Sequence, residues 1–128
     1  MKIKLCSVFV ENQQKALEFY TSVLGFVKKA DFPVGEFRWL TVVSPESPAD
    51  IELLLEPNAN IAAAAFQTSI YDQGIAATAF FVDDIDKEYQ RMKKHGVVFR
   101  TKPTKLEGGP TIALFDDTCG NLIQLVEE

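Results

Sequence analysis

Residues 77–96, ATAFFVDDIDKEYQRMKKHG, decide the fold, because they restage residues 5–25, LCSVFVENQQKALEFYTSVLG. In both stretches an alternating run of β-formers gives way to two polar residues, then to a helical pattern, then to glycine. Val10 and Val82, Glu11 and Asp83, and Lys15 and Lys87 stand 72 positions apart; Gly25 and Gly96 stand 71 apart. The offset is 72 again between Ile51-Glu52-Leu53 and Ile123-Gln124-Leu125. One supersecondary unit is therefore used twice.

Outward from that repeat, strands are predicted over 3–10, 26–30, 37–43 and 51–55, with a helix over 13–24. The second copy predicts strands over 77–82, 97–100, 111–115 and 121–126, with a helix over 85–95. Phe32-Pro33-Val34-Gly35 reads as a turn. Residues 58–76 read as a linker holding a short helix over 62–71. The predicted fold is α+β. Two βαβββ modules in tandem, about 1–57 and 77–128, form a curled mixed sheet around a cleft within one domain. Each helix covers one sheet face, and the faces left over are the natural place for a small ligand.

The 128 residues are 47% hydrophobic and 24% charged, a globular mix that buries enough surface to fold without disulfide or metal. A net charge of -5 with no basic stripe argues against nucleic acid as a partner. No apolar run reaches the length of a membrane span and the amino terminus lacks a signal-peptide pattern, so a cytoplasmic location is expected. The chain has one histidine, His95, which excludes any site needing two or three imidazoles from one chain. His95 suits the end of its helix, where a partly charged ring favours the dipole. Strand parity puts Cys6 on the helix side, as inert core, while Cys119 falls in a turn where exposure is expected, with no base beside it.

The sequence resembles the vicinal oxygen chelate superfamily of glyoxalases, bleomycin-resistance proteins and extradiol dioxygenases. The resemblance rests on Ala16-Leu17-Glu18-Phe19-Tyr20 with Val23-Leu24-Gly25-Phe26, on Val82-Asp83-Asp84-Ile85-Asp86, and on Asp116-Asp117-Thr118-Cys119-Gly120-Asn121 before Ile123-Gln124-Leu125. It implies a metal site with one ligand from each of four strands. Those positions fall on Leu5, Glu52, Ala77 and Gln124. Leucine and alanine cannot ligate, and one carboxylate with one amide makes a poor site for zinc, nickel or iron. The resemblance therefore implies a relative whose metal site is lost, with no cofactor; weak magnesium or calcium binding is what two oxygen ligands leave open. Glyoxalase I activity is disfavoured. The family's habit also implies a homodimer.

By strand parity the ligand positions must face the cleft. Leu5, Ser7 and Phe9 then line it, with Ala77, Ala79 and Phe81, with Glu52 and Leu54, and with Leu122 and Gln124. Glu52 is the candidate catalytic residue: either a carboxylate with raised pKa acting as acid or base, or one hydrogen-bonded to Gln124 or a nearby side chain. Arg38 is read as anchoring an acidic ligand, pairing with Glu52 or lying exposed on the outer face, because parity leaves open whether Arg38 or Trp39 points inward. Tyr71 is read as closing over the cleft or packing the linker down, and Phe32 and Phe37 as a lid or as packing. The leading functional expectation is a metal-independent protein that binds a small apolar or aromatic molecule. The alternative is a lyase, isomerase or dioxygenase-like enzyme using Glu52 with a weakly bound divalent metal.

Overall fold

The computed structural model describes residues 1–128. The chain forms two compact units, Met1–Phe66 and Gln67–Glu128. Each holds a four-stranded sheet that is not closed on itself, and each repeats the order β-α-β-β-β, as the 72-residue offset predicts.

In the first unit β1 (Leu5–Val10) leads into α1 (Gln13–Glu18), and then β2 (Val27–Val34), β3 (Phe37–Val43) and β4 (Glu52–Pro57) follow. The sheet order is β1-β4-β3-β2, with β1 and β4 parallel and the other pairs antiparallel. Asn12 caps α1, its side chain accepting from the Lys15 N–H at 2.9 Å. The helix predicted over 13–24 is present but changes character midway. Phe19–Val23 is a π-helical turn, closed by the Leu24 N–H donating to the Phe19 carbonyl. The Thr21 hydroxyl donates back to the Leu17 carbonyl at 2.6 Å, a bond that perturbs a helix ladder. The turn delivers the adjacent residues Phe19 and Tyr20 together into the core. Beneath α1 lie Val8 and Val10, Leu40 and Val42, and Leu55, one face of three strands.

The turn predicted at 32–35 is narrower than expected. Phe32, Pro33 and Val34 belong to β2, and Gly35-Glu36 alone reverse the chain between Val34 and its partner Phe37. Gly35 has φ +60, which the first position of a tight hairpin turn demands and a side chain resists. Proline is tolerated in β2 because it is an edge strand.

In the second unit β5 (Thr78–Val82) leads into α2 (Ile85–Lys94), and then β6 (Phe99–Lys105), β7 (Thr111–Asp116) and β8 (Leu122–Glu127) follow in the sheet order β5-β8-β7-β6. Asp84, 72 residues after Asn12, caps α2 by accepting from the Lys87 N–H at 3.0 Å. His95 ends it, with Nδ1 2.9 Å from the Arg91 carbonyl. Ile85 and Met92 cover Ala113, Phe115, Ile123 and Leu125, and the Phe99 ring stands 4.6 Å from Tyr89 and 5.7 Å from Phe115. Most of the predicted linker is the helix Ile61–Asp72, here called αL, and the boundary between the units falls inside it.

Both cysteine expectations are reversed. Cys6 is exposed, because it sits at the open end of β1, ahead of the Val8 and Val10 positions that the helix covers. Cys119 is buried, because the turn that carries it folds around the buried Asp117. The Asp117 carboxylate accepts from the N–H groups of Cys119 (2.8 Å) and Asn121 (3.0 Å) and from the Asn121 amide (2.8 Å). Gln67 of αL donates to the Cys119 carbonyl and to the Asn121 side chain, both at 3.2 Å.

The two sheets differ at one joint. The β7–β8 ladder runs unbroken from Ile112↔Val126 to Asp116↔Leu122. The β3–β4 ladder holds only Thr41↔Leu54, Val42↔Leu53 and Val43↔Glu52. Beyond it the Gln13 side chain takes over. Its Nε2 donates to the carbonyls of Arg38 (2.7 Å) and Leu55 (2.9 Å), and its Oε1 accepts from the Arg38 N–H at 3.0 Å. The second copy has the apolar Ile85 at this position. Replacing Gln13 by alanine strands three backbone groups, at a cost of about 1–3 kcal/mol. Urea unfolding of Gln13→Ala is expected to show a lower midpoint with an unchanged slope; an unchanged midpoint would mean the bridge carries no stability.

Candidate functional site

On β1, β3 and β4 the residues that do not face α1 share the opposite face. Register places Leu5 beside Glu52, Ser7 beside Leu54 and Phe9 beside Glu56 on β1 and β4. Phe37, Trp39 and Thr41 face the same way on β3, as do Phe32 and Val34 on β2 by their pairing with Trp39 and Phe37. The sequence left the choice between Arg38 and Trp39 open, and the structure turns Trp39 to this face.

A cavity of about 300 Å³ opens where the β3–β4 ladder has ended. Its floor and walls are aromatic and aliphatic: Phe9, Phe37, Trp39, Leu54, Val34 and Pro57. Three polar residues complete it: Arg38, Glu56, and Asn60, whose side chain accepts from the Ala62 N–H at the start of αL. Trp39 is 36% exposed and lies 6.4 Å from Phe32 at an interplanar angle of 20°. Phe32 and Phe37 are thus neighbours on one hairpin, with Phe37 in the wall.

Of the residues singled out from sequence, Phe9, Leu54 and Arg38 line the cavity. The Arg38 guanidinium is already engaged on the sheet's other side. Its Nη2 and Nε donate to the two Asp31 oxygens at 2.7 and 3.0 Å, and its Nη1 donates to Gln14 of α1 at 2.7 Å. The hydrogen bonds with Asp31 hold its carboxyl below the ordinary 3.8 and raise the Arg38 guanidinium further above its usual range.

Glu52 shares the face but not the cavity. It lies four positions before Glu56 on β4, about 13 Å away at the usual rise. Its Oε1 accepts from the Thr41 hydroxyl at 2.8 Å, and the Lys29 ammonium lies 3.8 Å from its Oε2. A bulge between Lys28 and Ala30 makes this possible, the freed Ala30 N–H donating to the Thr41 oxygen at 3.1 Å. Leu5 and Ser7 are exposed beside it.

In the second unit Ala79 pairs with Gln124 and Phe81 with Val126, and the Ala77 N–H donates to the Leu122 carbonyl at 2.8 Å. Ala77, Ala79, Phe81, Leu122 and Gln124 therefore share the face away from α2. Leu122 is buried and Phe81 exposed. Tyr71 donates to the Asp116 carboxylate, which pushes its phenol above the ordinary 10.0, and Arg100 stands over its ring at 5.0 Å.

A sequence profile described as the Glyoxalase/Bleomycin resistance protein/Dioxygenase superfamily matches residues 2–125. The chain belongs to that superfamily. It is 57% identical to the uncharacterized protein YurT of Bacillus subtilis, over the full length of both. It is 31% identical to a lactoylglutathione lyase of Neisseria meningitidis, covering 93% of this chain and 85% of that one. The crystal structure of TnmS3, an antibiotic binding protein from Streptomyces sp. CB03234, superposes with a TM-score of 0.74 at 28% identity, covering 99% of this chain and 95% of that one.

The donor chemistry at the four positions where the superfamily resemblance places a metal does not suit a transition metal. Leu5 and Ala77 have no donor atom, and Glu52 is engaged by Thr41 and Lys29. No group of three or more His, Cys, Asp or Glu side chains stands close enough together to hold an ion.

Sequence reasoning passed over Val34, Pro57, Asn60 and Gln13. The first was hidden by reading the turn too wide, and only register reveals the others.

Because the folded Asp31 carboxyl lies below its ordinary 3.8, its stabilising effect is fully present above that value and is lost as pH falls through the lowered one. The stability difference between the wild type and Asp31→Asn, measured by urea unfolding, is expected to hold at neutral pH and shrink well below pH 3.8. A difference that grows with acidity would contradict the clamp.

Proposed function

We propose that this protein is a metal-independent binder of a small aromatic or apolar molecule, held in the cavity beside Trp39. The observation that carries the reading is the cavity itself: six apolar side chains around about 300 Å³, at a joint where a side chain has replaced the sheet ladder. Its size is at the lower end for small-molecule sites, enough for one ring system and its substituents. The likeness to an antibiotic binding protein supports the same reading. No nucleophile with an activating base lines the cavity, so retention of the ligand is the chemistry these residues supply.

The second reading is a lyase or isomerase in which Glu52 acts as base, with a weakly held magnesium or calcium ion. The likeness to a lactoylglutathione lyase favours it. Against it stands the engagement of Glu52 by Thr41 and Lys29. A Glu52→Gln variant that retains full ligand affinity and full stability toward EDTA supports the first reading. Loss of a measurable turnover in that variant alone supports the second.

Trp39 is the chain's one tryptophan, so its emission reports on the cavity directly. Planar aromatic compounds are expected to change that emission saturably, and Phe37→Ala to weaken the binding about tenfold, or about 1.4 kcal/mol. If a broad aromatic library leaves Trp39 emission unmoved, the cavity is not a binding site.

A further inference from the structure

The cavity carries an uncompensated negative charge, and this names the class of ligand. Its two ionisable lining residues are Arg38 and Glu56. Arg38 and Asp31 form a bidentate pair whose charges sum to zero, and Gln14 accepts a third guanidinium hydrogen bond. Glu56 has no equivalent. Glu56 is partly exposed, stands beside Phe9 in the β1–β4 register, and makes no hydrogen bond or ion pair. Glu52, four residues earlier on the same face, shows the contrast, since a hydroxyl and an ammonium both reach it.

A carboxylate with no protein partner is open to a cationic group that enters the cavity. Aromatic rings beside it add a second attraction for the same charge, because their faces are electron-rich. An anionic ligand would face repulsion from Glu56 with no free cation to answer it. From the reading of the cavity as a ligand site, on which this rests, we infer that the ligand is an amine-bearing aromatic cation, its ring against Trp39 and its ammonium against the Glu56 carboxylate.

Three matched probes test this: naphthylmethylammonium, naphthylmethanol and naphthoate. The readouts are calorimetric affinity and the indole N–H resonance of Trp39, a single signal in this chain. The cation is expected to bind about tenfold tighter than the alcohol, as a carboxylate with a cation–π contact provides. Naphthoate is expected to bind more weakly than either, and the cation's advantage is expected to shrink with added salt. Glu56→Gln should bring the cation down to the affinity of the alcohol, and Glu56→Lys should reverse the order in favour of naphthoate. Glu46→Gln removes the same charge in the loop before β4 and should keep the preference. Equal affinities for all three probes in the wild type, or a preference that survives Glu56→Gln, overturns the inference while leaving the cavity a binding site. No movement of the Trp39 signal with any probe overturns both.

Discussion

Backbone polar groups must be paired wherever they are covered, and the first sheet meets that demand in an unusual way at one place. The β3–β4 ladder stops at Thr41 and Leu54, and the next carbonyls and N–H group are taken up by the side-chain amide of Gln13. An amide is the one side-chain group that donates and accepts as a peptide does, so it can stand in for a strand. The joint stays satisfied without closing. Beyond it the opposite face holds a cavity instead of a continuous pleat. In the second unit the ladder runs on and the matching position is Ile85.

The charges around the first sheet are arranged in the same spirit. Arg38 is drawn to the helix side by Asp31 and Gln14, which leaves Trp39, its neighbour in the chain, to face the cavity. Glu52 is held at the far end of the face by a bulge that brings Lys29 and Thr41 to it. The residue that the superfamily resemblance singled out is thereby engaged by a hydroxyl and an ammonium.

Much of this was legible in the sequence. The 72-residue offset predicted both modules, and the caps Asn12 and Asp84 obey it to the residue. Strand parity placed Phe9, Leu54 and Glu52 on one face. What escaped was register and reach. Parity says which face a residue takes but not which end of the strand it shares with a cavity, so Glu52 and Leu54 looked equivalent. The cysteines were misjudged because a strand residue is core only where a helix extends over it, and a turn residue is exposed only where no buried carboxylate gathers the turn.

The sequence by itself determined the α+β repeat, its helices and their ends, and the count of one histidine, because these follow from local periodicity and from counting. Only the tertiary structure decided that Gln13 bridges two strands, that Arg38 is neutralised, and that Glu56 is left without a partner. Each of those depends on distances between residues far apart in the chain, from 25 positions for Gln13 and Arg38 to 42 for Gln13 and Leu55. No local pattern encodes such a distance; it exists only once the strands have found their register.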